Sequence, residues 1–216
     1  MRERYRRELD SVDQDVVRMG ALVEQAIEQA TIALIESDAT LALRVMEADN
    51  DIDDLYVGIE KRALSILAKQ APVAGDLRLI VAILRATHDL ERAGDLAYNV
   101  AKVAAKQVPV ARIKAISGLL VELSAESRSL LSKAIDAWAE KDVILARSLQ
   151  DFDDDIDELH KRFYREIFAL KQDETSFETA MNAALVGRWF ERIADHGVNV
   201  AEGVQFYITG QEELLG

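Results

Sequence analysis

Apolar residues recur at helical spacing along almost the whole 216-residue chain. Met19, Leu22, Val23, Ala26, Ile27, Ala30 and Leu34 fall on one face of a helix predicted over residues 9–36. Ser37-Asp38 then offers an N-cap, whose side-chain oxygen can accept from the free amides of a helix's first turn. A second helix runs from there to about residue 69, with Leu41, Val45, Ala48, Ile52, Leu55, Tyr56, Ile59, Ala63 and Ile66 as its apolar stripe. Ala71-Pro72-Val73 predicts a turn, because the residue before proline is pushed out of helical geometry. A third helix follows to about residue 107, and Pro109 marks a boundary. The pattern then begins again, with helices over about 113–139, 142–170 and 176–208. Strand signals are weak: no Asn-Gly or Asp-Gly pair occurs, and alternating β-branched runs are few.

The second half repeats the first. Residues 38–55 align with 142–159, and Asp38, Asp49 and Asp53 fall on Asp142, Asp153 and Asp157. Farther on, Glu91-Arg-Ala-Gly-Asp95 aligns with Glu191-Arg-Ile-Ala-Asp195, at an offset four residues shorter. A period of half the chain points to a duplicated unit rather than a solenoid. Three amphipathic helices with short connections pack as an antiparallel bundle. The expected fold is therefore all-α: two tandem, repeat-related three-helix bundles, over residues 1–109 and 110–216.

Composition narrows the function classes. Acids outnumber bases by 39 to 26, for a formal net charge of −13. Such a surface repels phosphodiester backbones and anionic lipid, which disfavours nucleic-acid and direct membrane binding and favours cations or basic protein surfaces. There is no cysteine, hence no thiolate metal site. The basic N-terminus has no apolar segment after it and does not read as a signal peptide, and no apolar run approaches membrane-spanning length. A cytoplasmic protein is the expectation. No Gly-rich phosphate loop and no Gly-x-Ser-x-Gly occurs.

The candidate chemistry lies in four acidic pairs, Asp49/Asp53, Glu91/Asp95, Asp153/Asp157 and Glu191/Asp195. A spacing of four stacks both side chains on one helix face. In an antiparallel hairpin, residues equidistant from the turn share a level. Asp49 with Asp95, and Asp53 with Glu91, are centred on Pro72. Asp153 with Asp195, and Asp157 with Glu191, are centred on Glu174. Each repeat thus brings four carboxylates to one level, which cannot all stay ionised without compensation. One solution is a salt-bridge network drawing on Arg85, Arg92, Arg188, Arg192 and Lys61. The other is an oxygen-ligand site for Mg²⁺, Mn²⁺, Ca²⁺ or iron, and this is the favoured reading. Asn99 and Asn199 continue the same faces, as added ligands or as helix–helix polar contacts. His88, His160 and His196 lie near the acids, but none holds the same position in both repeats, so they carry little weight. Trp138, Trp189, Phe190 and Tyr56 read as core or interface residues.

These residues resemble the PhoU family of phosphate-transport accessory proteins over nearly the whole chain. The resemblance rests on the paired repeats, on Pro72-Val-Ala-Gly-Asp-Leu-Arg78, and on the Glu91-to-Asp95 and Glu191-to-Asp195 motifs. It implies metal ligands at Glu91, Asp95, Glu191 and Asp195, faced by Asp49, Asp53, Asp153 and Asp157. It implies bound iron foremost, with Mn, Mg, Ca, Zn or Ni as other candidates. It further implies a homodimer that restrains phosphate uptake and phosphate-starvation signalling through the transporter ATPase PstB and the sensor kinase PhoR, reaching the membrane only through them. The segment from Asp173 to Glu178 departs from the Pro72-to-Arg78 pattern, so the two sites need not bind metal equally.

A non-enzymatic metal-binding adaptor is accordingly expected. A di-iron carboxylate enzyme is the rival from another class, but such bundles use Glu-x-x-His, which none of the three histidines provides. A metal-free helical scaffold is the third reading.

Overall fold

The computed structural model describes residues 2–170 and 175–210. It contains α1 (Arg2–Glu36), α2 (Ala39–Gln70), α3 (Ala74–Ala105), α4 (Ser117–Glu140), α5 (Val143–Ala169) and α6 (Phe177–Thr209). A short 3-10 turn, Val110–Arg112, lies between α3 and α4, and no strand occurs among the described residues.

The helix starts follow local chemistry. The Asp38 carboxylate accepts from the amides of Thr40 and Leu41, both at 2.9 Å. Asp142 does the same for Ile144 and Leu145 at 2.9 and 3.0 Å. Ser176 caps α6 by accepting from Thr179 at 3.1 Å. Each such cap stabilises its helix by about 1 kcal/mol. Ala71, in left-handed geometry at φ 44°, ends α2, and Pro72 and extended Val73 complete the turn. The counterpart turn's expected centre, Glu174, lies outside the described residues, as does Asp173.

Two boundaries differ from expectation. Helix α1 begins near the N-terminus rather than at residue 9, because Arg and Glu are strong helix formers that an apolar-periodicity reading passes over. Tyr5 anchors this extension by donating to Asp76 at 2.9 Å. Helix α4 begins at Ser117 instead of residue 113. Val110, Ile113 and Ile116 are buried there, so their helix-like spacing reflects a connector pinned into the core.

Among the described residues, helix α2 touches only α1 and α3, and α5 touches only α4 and α6. The two repeats meet through α3 against α6 and α1 against α4. Contacts of Arg78 with Tyr207 and of Asp89 with His196 show that α3 and α6 run antiparallel. Trp138 of α4 is fully buried and donates its indole N–H to Asp13 of α1 at 2.9 Å, while Lys141 reaches both oxygens of Asp13 at 2.8 Å. The result leaves α2 and α5 on separate flanks, each closing a groove against its repeat's last helix.

Candidate metal centre

Both hairpins carry their acids into these grooves. In the first, a side chain added at Gly94 of α3 would lie 3.7 Å from Asp49 Oδ1 and 3.3 Å from Ile52. The Asp49 carboxylate of α2 therefore sits directly against α3, between Glu91 and Asp95. The charges of Asp53, Asp95 and Glu91 all act on it, as the shared level requires. In the second hairpin, the Tyr164 hydroxyl of α5 donates to the Ala184 carbonyl of α6 at 3.2 Å. The same register carries upward to Asp157 beside Glu191 and Asp153 beside Asp195, and these acids act on one another across the groove. The eight predicted residues thus lie within electrostatic range of one another, four on each flank.

The electrostatics record strain. Burial, then repulsion from Asp53, Asp95 and Glu91, raises the Asp49 pKa to about 6. Burial and then Asp195 and Asp157 raise that of Asp153 to about 6. Glu191 reaches about 7, through burial and then Asp195, against the opposing pull of Arg188. Glu91 and Asp195 are also raised, burial being the main cause in both. The second cluster is the more enclosed: the Glu191 side chain is 8% exposed, and Asp157 is half-buried where Asp53 is exposed.

Arginine supplies part of the compensation expected of a salt-bridge network. Arg92 lies 2.8 Å from Glu91 and 3.1 Å from Asp95, and Arg188 pairs with Glu191. Among the described residues no salt bridge reaches Asp49, Asp53, Asp153 or Asp157. Buried oxygens are left without a hydrogen-bond donor: Oε2 of Glu91, Oδ1 of Asp153 and Oε2 of Glu191. Glu91 Oε2 is near Arg92 Nε but out of hydrogen-bonding alignment. A buried acceptor without a partner costs about 1–3 kcal/mol, more when charged, so each cluster is short of positive charge.

These oxygens are the hard donors that Mg²⁺, Ca²⁺, Mn²⁺ and iron take, and the residues fit such a cation in type and deficit. Among the described residues, however, no three His, Asp or Glu side chains stand converged as a finished ligand set. Arg92 clips Glu91 and Asp95, and Arg188 clips Glu191, so three of the four last-helix acids are engaged by arginine.

The PhoU domain model matches residues 16–104 and 120–204, one match per repeat, each containing one acidic cluster. The chain belongs to the PhoU family. It is 32% identical to a phosphate-specific transport system accessory protein PhoU homolog of Synechocystis, over 98% of this chain and 94% of that protein. It is 30% identical to the PhoU protein of Escherichia coli K12, over 96% of this chain and 86% of that one. The crystal structure of PhoU from Pseudomonas aeruginosa superposes with a TM-score of 0.86 at 32% identity, covering 96% of this chain and all (100%) of that one. That of the phosphate transport system regulatory protein PhoU from Streptococcus pneumoniae gives 0.86 at 25% identity, covering 98% and 100%.

Within this PhoU fold the remaining candidates separate. Asn199 is exposed and donates to Asp89 of α3 at 2.9 Å, a helix–helix contact between repeats rather than part of a cluster. His196 meets the same Asp89 oxygen at 2.9 Å through Nδ1. Sequence reading missed this junction, because Asp89 has no acidic counterpart in the second repeat, where Trp189 stands. His88 is exposed, with its charge acting on Glu91. His160 is buried beside Asp157, and desolvation followed by Arg188 lowers its pKa. Among the expected core aromatics, Trp138 and Phe190 are fully buried, while Tyr56 and Trp189 pack partly buried against the core.

Proposed function

We propose that the chain is a non-enzymatic, metal-binding regulatory adaptor that restrains phosphate uptake and phosphate-starvation signalling. One observation carries the metal part of this reading. Each flank carries four carboxylates within electrostatic range of one another, with one arginine in contact among the described residues and buried oxygens left unpartnered. Asp49, Asp53, Glu91 and Asp95 would hold cations on one flank, and Asp153, Asp157, Glu191 and Asp195 on the other. Iron is the first candidate, with Mn, Mg, Ca, Zn or Ni as others. A bound cation neutralises the carboxylates and ties the outer helix to the last helix of its repeat; no reaction is required of it.

The regulatory part rests on relatives named for the phosphate-specific transport system. The proposed partners are the transporter ATPase PstB and the sensor kinase PhoR, met at the cytoplasmic face of the membrane by a homodimer of this chain. No helix among the described residues is long and apolar enough to cross a membrane, which suits membrane association through such partners. Against a di-iron enzyme, each cluster draws on two helices at a flank, whereas that chemistry uses four helices around one interior site.

Co-purification tests the adaptor role. Iron-loaded chain should retain PstB on an affinity matrix, and the double variant Asp95→Ala/Asp195→Ala should retain markedly less while keeping its helical circular dichroism. Equal retention by both would detach the metal from partner recognition, and no retention by either would remove PstB as the partner.

A further inference from the structure

His160 stands apart from the other two histidines: it is 8% exposed, and its Nε2 has no hydrogen-bond partner. It occupies the same face of α5 as the acids, one turn past Asp157 and two turns past Asp153. The Tyr164–Ala184 hydrogen bond fixes the register of this groove. In that register His160 lies level with Arg188, and the rung above it holds Asp157 and Glu191. Arg188 is the guanidinium paired with Glu191, and both Arg188 and Asp157 act electrostatically on the imidazole. Beneath, the His160 ring packs edge-on against Tyr164 with centroids 4.5 Å apart, which limits its rotation. A buried imidazole with an unpartnered nitrogen therefore borders a carboxylate cluster in which Asp153 Oδ1 and Glu191 Oε2 are unpartnered as well.

We propose that His160 is a nitrogen ligand of the second cluster, completing a mixed imidazole–carboxylate site for a transition metal. The inference rests on the metal-binding reading above and adds a donor to one cluster only. On the equivalent rung of the first repeat, Tyr56 replaces His160, and the histidine of that rung, His88, comes from the opposite helix and is exposed. The two flanks then differ in ligand chemistry: oxygen donors alone suit Mg²⁺, Ca²⁺ and Mn²⁺, whereas an added imidazole favours Fe, Ni, Cu or Zn. Arg188 pairs with Glu191 and acts on His160, so a metal held by both would require the guanidinium to release Glu191.

The full-length, untagged, metal-free protein, titrated with Cu²⁺ alone, tests this by electron spin-echo envelope modulation, which detects the remote nitrogen of a coordinated imidazole. Wild type should show that modulation, as should His88→Gln/His196→Gln, in which His160 is the last histidine. His160→Gln, nearly matched in size, should lose it and bind Cu²⁺ at the second cluster at least about 10-fold more weakly, since losing even an outer partner of a ligand costs that much. Modulation that persists in His160→Gln, or vanishes in the double variant, overturns the assignment. Cu²⁺ bound in wild type with no nitrogen modulation overturns it while leaving the carboxylate sites standing. Wild-type Cu²⁺ stoichiometry in Asp95→Ala/Asp195→Ala removes the metal reading itself, and the ligand with it.

Discussion

Glu191 bears the heaviest electrostatic load of the eight acids, since it is the most buried and faces Asp195, Asp157 and Asp153 with Arg188 as its contacting cation among the described residues. Its pKa rises from 4.5 to about 7, and those of Asp49 and Asp153 rise from 3.8 to about 6. A carboxyl that holds its proton more tightly when folded stabilises the fold below its unfolded pKa and loses that contribution as pH rises through its folded pKa. Metal-free protein should therefore melt at progressively lower temperature from about pH 4 to about pH 7. Thermal melts in chelator across that range check the slope, and a flat or rising profile would contradict the shifts. Glu191→Gln keeps the shape and removes the charge. It should raise the metal-free melting temperature at pH 8 and shrink the pH slope, while weakening any cation at the second cluster.

At the level of elements, the α2–α3 hairpin shows how much of the fold the sequence carried. Apolar spacing, Asp38 and Pro72 place both helices and their turn, and the turn alone sets which acids share a level. The facing of those acids was not legible, because helical spacing fixes a level but leaves rotation about the axis to core packing. The buried positions Ile52, Ile59 and Leu90 and the narrow approach at Gly94 settle it. The arginine clips were legible only as a set of candidates: long side chains choose partners by local geometry, and Arg92 and Arg188 prevailed while Arg85 lies over Phe206. The hairpin also holds a strained point, since exposed Ala71 adopts φ 44°. Left-handed geometry costs a residue with a Cβ about 1–2 kcal/mol, less the entropy that glycine brings to the unfolded chain. Ala71→Gly should therefore stabilise by up to about 1 kcal/mol, a gain of roughly 2–4 °C in melting temperature. A loss of stability in calorimetry would show that this turn is not held in that conformation.

At the scale of the molecule, the two PhoU repeats are bound through α1–α4 and α3–α6, and Trp138 with Asp13 lies at one end of the first contact, which runs on through Gly20 and Ile135 to Glu28 and Arg128. Trp138→Ala removes a fully buried ring and its hydrogen bond, and should cost about 3–5 kcal/mol in urea unfolding. A loss below about 1 kcal/mol would mean that the repeats do not depend on this junction. The same packing sets the two acidic grooves on separate flanks, so the two clusters are independent of each other. The central claim is that these grooves hold cations, and elemental analysis by inductively coupled plasma mass spectrometry tests it most directly. Protein purified without chelator or nickel resin should carry transition or alkaline-earth metal in stoichiometric amount, and Asp95→Ala/Asp195→Ala, still helical, should carry almost none. Metal-free wild type that also fails to take up added iron, or a double variant that keeps the full complement, would contradict it.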